Sequence, residues 1–445
     1  MRPGIKTALG QGVRWAGRSA VLLLGLWALF VALQFVGALV PDSAIAAKVM
    51  RSMEAGLDPA ATEVNALGWP NDRSTDCVAL GTGIGQAETS LVDRALKVPR
   101  LGNCRSIETD IAQVAAGEQP EVSYYLRYWA GYASLFRPAL AAWGMPGMAA
   151  VATCAFALGL LAMWSVLGRR LSVPLAAAFS LPLLIGTDAL MLPGGSQVHA
   201  LSMGVCFAGV AGVVLAAKRG IGRMALAAVV AGALINYFEL INNAPLAWVV
   251  TAGVGGIWFL WTGAPAARVA KASAAAAVGW MLGYAGAFVE RWLTAVAAAG
   301  PREALDQITQ LVGIRAGLSH QSDYPTVEAQ FGLATRLNIR DFFALPLGPL
   351  VFVLAVAAAA VLVVAATRRA GPGALARFAA CAWTCALVPF WYEVMRNHSQ
   401  MHSWFTFRAV AGGLGVILAA AVAVWCGVIG PSGFWRGGVG SRGVS

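Results

Sequence analysis

Charge is what this chain has least of. Asp, Glu, Lys and Arg make up only 12% of its 445 residues, against 58% hydrophobic ones. About ten apolar runs approach the ~20 residues that span a bilayer. They lie near 18–40, 146–167, 171–187, 197–217, 223–240, 245–263, 272–290, 344–366, 374–391 and 405–427, which reads as an integral membrane protein.

Acidic residues are missing from one side altogether. Placing basic loops in the cytoplasm puts both ends inside, with 16 of the 32 basic residues, among them Arg169, Arg170, Lys218, Arg219, Arg368 and Arg369, and none of the 21 acids. The net charge of +11 is therefore a sum over two faces and does not point to nucleic acid. Cytoplasmic connections are a few residues long, leaving no room for a nucleotide-binding fold, so any substrate must be available outside or within the membrane. Acid segregation has two readings: the inner loops are too short to need acids, or carboxylate chemistry takes place outside.

The fold expected is an all-α polytopic membrane protein of about ten transmembrane helices with a large first extracytoplasmic loop containing interfacial helices. Residues 1–17 form a cytoplasmic tail and 18–40 the first helix, too long for a signal-peptide core. The first extracytoplasmic loop is 41–145, helices two to seven occupy 146–290, a second large outer segment is 291–343, helices eight to ten fill 344–427, and 428–445 is a cytoplasmic tail. Of seven cysteines, only Cys77 and Cys104 fall in an outer loop, where an oxidising compartment would pair them.

Three carboxylates in the first loop are candidate bases. Asp42 follows the first span; Asp72 and Asp76 lie in NDRSTDC and would share a helical face. Each can equally be a helix cap or a solvated residue. The loop ends in EVSYYLRYWAGYASLFRPAL, where Tyr125, Trp129, Tyr132 and Phe136 recur at helical spacing. That pattern predicts an amphipathic helix in the headgroup layer, serving as an anchor or turning Arg127 and Tyr128 toward a substrate pocket.

Histidine is rare too, and two of the four, His398 and His402, stand together in WYEVMRNHSQMHSWFTFR between Arg396 and Arg408. A phosphate suits this cluster, because arginine offers paired donors and histidine titrates near neutrality. A divalent metal on the two histidines with Glu393 is the alternative, and helix-end residues reaching for water are the structural reading. Glu393 otherwise belongs with Arg127 and Tyr128 as pocket lining. No cofactor is called for.

The long first outer loop with its carboxylates, the interfacial helix and the basic cluster before the last span resemble membrane glycosyltransferases of the GT-C superfamily, and RYWAGYASLFRP and RNHSQMHSWFTFR also look like segments of bacterial membrane proteins. The ten-span plan and size are similar to the type IV pilin arabinofuranosyltransferases. The resemblance implies a bacterial cytoplasmic (inner) membrane location with the active site facing the periplasm or cell exterior. It implies transfer of a sugar, arabinofuranose among the candidates, from a polyprenyl-phosphate carrier to a glycan or protein acceptor, with membrane lipid as surroundings. Asp42, Asp72 or Asp76 would then be the catalytic base, and Arg396, His398, His402 and Arg408 would hold the lipid phosphate. The chain departs from the family in lacking a tight acidic pair after the first span, where Asp42 stands alone. Two other classes stay open: a transporter of a lipid-linked or small polar substrate, to which the interrupted run NYFELINNAPLAW at 236–248 speaks, and a non-catalytic polysaccharide-assembly partner.

Overall fold

The computed structural model describes residues 3–57, 64–84, 90–102, 104, 106–239, 241–318 and 328–429, with side chains from residue 12 onward except at 311. Among them nine helices are long and apolar enough to cross a bilayer, or up to ten spans if one bent pair counts as a crossing. The chain is an all-α multi-pass membrane protein.

Helix α1 (Pro3–Ala38) runs unbroken through the segment expected to be a separate cytoplasmic tail. Five short helices and a ribbon follow at one end of the bundle: α2 (Asp42–Glu54), α3 (Arg73–Gly81), α4 (Leu91–Lys97), α5 (Ile107–Ala116) and α6 (Ala133–Trp143), with β1 (Pro99–Leu101) antiparallel to β2 (Val122–Tyr124). We call this end the loop face and the other the basic face. α7 (Met145–Arg170) returns to the basic face and carries Arg169 and Arg170 in its last turn. Ser172 then caps α8 (Val173–Gly186) by accepting from the Leu175 amide. A break bent by 74° separates α8 from the segment holding the short α9 (Leu192–Gly195), so the third expected span is a broken one.

The bundle continues with α10 (Gln197–Ala217), α11 (Ile221–Phe238), α12 (Ala244–Trp261) and α13 (Ala266–Ala299). At 34 residues α13 is about 51 Å long, well beyond the ~30 Å hydrocarbon core. It extends past the expected end at residue 290 into the loop-face layer. α14 (Pro301–Ala316) and α15 (Leu333–Ala344) belong to that layer, and α16 (Gly348–Ala370) crosses the membrane again. α17 (Gly373–Ala382) continues through a 3-10 turn into α18 (Leu387–Val394) as one apolar stretch, and the short α19 (Arg396–Met401) and α20 (Ser403–Thr406) lead into α21 (Arg408–Ile429).

Burial orders these spans from centre to edge. The apolar window of α12 is 89% buried, against 22% for α1 and α16, so α12 is the axis and the other two face lipid with side chains such as Val21, Leu24 and Val361. Because lipid supplies no hydrophobic drive between helices, close backbone approach matters. A Cβ on Gly283 would lie 1.9 Å from the Val229 carbonyl oxygen, and one on Gly232 only 2.0 Å from that of Trp280. These two glycines therefore seat α11 directly against α13.

The loop layer is a folded cap. Cys77 and Cys104 form the expected disulfide, with Cα atoms 5.7 Å apart. The amphipathic headgroup helix expected over 121–140 does not form. Only Ala133–Trp143 is helical, while Tyr125, Trp129 and Tyr132 lie in an irregular stretch and are all buried in protein. Ala130 takes a left-handed φ of 52°, and Gly131 admits the Tyr237 ring to within 2.2 Å of where a Cβ would stand. The Trp129 indole donates to the Ala287 carbonyl at 2.7 Å, and Arg291 donates to those of Leu96 and Tyr125. Aromatic spacing that imitated a helix instead plugs the cap into α11 and α13.

Candidate functional site

Asp72 and Asp76 meet the N-terminus of α10, where backbone amides have no intrahelical acceptor. Asp72 is the N-cap of α3 and accepts from the Thr75 amide and hydroxyl and from Ser74 Oγ. Its Oδ2 also lies 2.8 Å from His199 Nε2. Asp76 reaches across to α10, accepting from the Gln197 amide at 2.8 Å and the Val198 amide at 2.9 Å. Both acids lie against α10, and every carboxylate oxygen of both is occupied. Burial alone would raise the Asp72 carboxyl, but the hydrogen bond and charge of His199 and the bonds from Thr75 hold it well below the usual range. Burial pushes Asp76 up to about 7 against the pull of its two amides.

His199 extends this pair into the bundle. Its Nδ1 lies 3.3 Å from Asn243 Nδ2, which also donates to Ser202 Oγ at 2.8 Å. Asn243 belongs to the turn between α11 and α12, where Ile241 has φ 68°. There Glu239 Oε1 accepts from the amides of Asn242 at 2.7 Å and Asn243 at 2.9 Å. Glu239 is 3% exposed, and its Oε2 has no hydrogen-bond partner. Burial pushes this carboxyl up to about 8, with the two amides opposing and the Asp72 charge adding. Glu239, Asn243, His199 and Asp72 thus form one continuous chain of polar contacts that ends in a free, protonatable oxygen.

The side of His199 that meets Phe405 is basic and aromatic. Phe405 stands 5.1 Å from the His199 ring and stacks on His402 at 4.9 Å, and His402 lies 4.7 Å from His398. Arg315 of α14 approaches His402 Nε2 at 3.4 Å. Neither ring nitrogen of His398 has a hydrogen-bond partner, although the residue is 1% exposed. Burial, then the neighbouring charges, keep both histidines from titrating near neutrality: His398 falls well below its ordinary value and His402 drops to about 4. This corrects the expectation of titrating histidines. At neutral pH they are hydrogen-bonding groups, and Arg315 supplies the charge beside them.

Other expected residues face different partners. Asp42 is held by Arg137 at 2.6 Å and Arg94 at 3.1 Å, a clamp between the end of α1 and the cap. Arg408 gives Nε and Nη2 to Asp188 in a buried pair and Nη1 to the Phe405 carbonyl, so its guanidinium is committed to protein partners. Glu393 accepts from the Gly332 amide and from the amide and hydroxyl of Thr335, capping α15, so it is neither pocket lining nor a third metal ligand. Arg396 lies over the Phe331 ring at 5.8 Å. Arg127 lies over Tyr125 and Tyr128, and the buried Tyr128 hydroxyl has no partner. Among the described residues no group of three His, Cys, Asp or Glu side chains is placed to hold a metal ion.

Sequence reasoning missed His199, Asn243, Glu239 and Arg315 as site members. The signal for Glu239 and Asn243 was present in NYFELINNAPLAW, where acid and amide side chains interrupt an apolar stretch. Nothing in the sequence tied Arg315 to His402, 87 residues away. Comparison with protein-family models, curated proteins and solved structures gives no match to this chain.

Proposed function

We propose that the protein is a GT-C-like glycosyltransferase of the bacterial cytoplasmic membrane, moving a sugar from a polyprenyl-phosphate carrier to a glycan or protein acceptor on the periplasmic or exterior side. The observation that carries this reading is the pairing of opposites on the two sides of His199. Glu239 brings a free carboxylate oxygen, and across Phe405 stand His398, with two open ring nitrogens, and Arg315 beside His402. The positive-inside rule supports the orientation, with the loop face outward and Arg169, Arg170, Arg368 and Arg369 inward.

In this reading the acceptor hydroxyl oxygen attacks the anomeric carbon while Glu239 takes its proton. The bond from the anomeric carbon to the phosphate oxygen breaks, and its electron pair leaves with the polyprenyl phosphate. General-base help of this kind contributes about 10²–10⁴-fold. Arg315 and the neutral histidines stabilise the charge gathering on the departing phosphate. Asp72 and His199 position the turn that carries Glu239. No nucleotide is required.

The experiment is to place the purified protein in nanodiscs with a radiolabelled polyprenyl-phosphate sugar and an acceptor glycan, and to follow release of free carrier. Glu239→Gln should retain carrier binding and lose release. A second reading, transport, draws on the non-helical turn at Glu239–Asn243 and the break after α8, since interrupted helices mark transporter sites. Movement of intact sugar-phosphate lipid across a vesicle membrane without bond cleavage would favour it.

A further inference from the structure

Beside Glu239 the bundle core holds a group of aromatic side chains whose polar atoms are unusually idle. Trp280 and Tyr284 of α13 stack at 4.8 Å, and Trp391 of α18 packs against them at 6.5 and 5.6 Å. Trp280 Nε1, Trp391 Nε1 and the Tyr284 hydroxyl are buried without hydrogen-bond partners, as are both amide atoms of Asn236. All four residues are 5% exposed or less. Trp248 touches the same cluster, but its indole donates to the Ala277 carbonyl at 2.9 Å, so one ring of the group is satisfied and the others are not.

Helix geometry places these groups together. Gly232 of α11 lies against the backbone of Trp280 and Tyr284. Asn236 follows one turn later on the same face, and Glu239 comes three residues further on. Phe288 bridges Tyr284 at 5.3 Å and Tyr128 at 6.1 Å, and Tyr128 also has an idle hydroxyl.

Native interiors rarely leave so many buried polar groups unsatisfied. A polyprenyl tail would leave all of these donors unpaired. A phosphate calls for cations, and these side chains provide none. A sugar ring offers an apolar C–H face to aromatic rings and a rim of hydroxyls that both donate and accept. We propose that Trp280, Tyr284, Trp391 and Asn236 form a subsite for an uncharged sugar ring, with Asn236 and the two indoles reading its hydroxyls. This deepens the transferase reading and rests on it for the identity of the carrier.

The test compares Asn236→Ala and Trp391→Phe, on different helices and both checked for unchanged elution and thermal unfolding, with wild type. Binding is measured by calorimetry for polyprenyl phosphate bearing a neutral sugar, the same carrier without sugar, and free methyl glycosides, neutral and uronic. The sugar-bearing carrier should bind the variants about tenfold more weakly, the loss of roughly one well-made buried hydrogen bond, while the bare carrier binds all proteins alike. Equal binding of bare and sugar-bearing carrier, insensitive to both variants, overturns the subsite and leaves the carrier reading standing. Failure of both carriers to bind, with neutral glycosides still bound in a variant-sensitive way, overturns the carrier reading and keeps the subsite. Preferential binding of uronic glycosides also overturns it.

Discussion

Arg408 grips Asp188 through two bonds, Nε to Oδ1 at 2.7 Å and Nη2 to Oδ2 at 2.8 Å, with both side chains 2% exposed. The pair joins the start of α21 to the break after α8. Breaking such a pair leaves an uncompensated buried charge and costs about 3–5 kcal/mol. Arg408→Ala should therefore lower stability by that amount, and Arg408→Lys should lose much of it because the fork geometry is gone. Chemical unfolding in detergent measures both. Impaired carrier binding by a stably folded Arg408→Ala protein would return this arginine to the phosphate site.

Glu239 should set the pH dependence of transfer. Burial raises its carboxyl to about 8, so the ionised base is present above that pH and is lost as pH falls through it. Turnover should rise with pH up to about 8 and then level off, and Glu239→Gln should cut it by about 10²–10⁴-fold. Initial rates across pH 6–9.5 check both. A flat profile, or normal turnover by the glutamine variant, would remove Glu239 from the base role.

Asp72 predicts an effect on the acid side. Its carboxyl is held well below the ordinary 3.8, chiefly by His199 against the pull of burial. Its stabilising bonds are fully present above pH 3.8 and disappear as pH falls through the lowered value. Asp72→Asn should cost about 1–3 kcal/mol at neutral pH and flatten the loss of stability below pH 4. Melting curves at pH 3, 4 and 7 for the two proteins test it; parallel curves would show that the His199 contact contributes nothing.

Reduction of Cys77–Cys104 should weaken the cap. In the chain-entropy view, a bridge closing a loop of 27 residues contributes roughly 3 kcal/mol. A non-reduced digest of exported protein should contain the linked peptides, and mild reductant should lower the thermal midpoint. Two alkylatable thiols in exported protein would contradict the bridge.

Orientation can be read with reporter fusions. Fusions after Glu118 and Gly332 should report outside, and those after Arg219 and Gly371 inside. An inside signal at Gly332 would put the chamber on the wrong side for a polyprenyl-linked donor.

The spans were legible because twenty apolar residues in a row have few other uses, and α7, α10 and α12 begin within a residue of where hydropathy puts them. The cap was less legible. Tyr125, Trp129, Tyr132 and Phe136 obey helical spacing, but spacing cannot reveal that Gly131 must admit the Tyr237 ring. In the chamber, sequence found Asp72, Asp76, His398 and His402, which are polar residues crowded into short stretches. It overlooked His199 and Arg315, each isolated in sequence and brought in by helices remote from their partners along the chain.

Asp76 supplies hydrogen-bond acceptors to the first amides of α10 from 121 residues upstream. During synthesis the segment bearing Asp76 therefore emerges well before the helix it completes. Until α10 has been inserted, Asp76 and Asp72 lack the amide and imidazole partners they have in the finished protein, and α10 arrives with its own first amides open. The cap and the bundle thus finish one another, and the chamber between them is assembled only after the middle of the chain has been made. A ribosome stalled before α10 should leave a cap that is exported and easily proteolysed, whereas one stalled after α13 should leave it resistant.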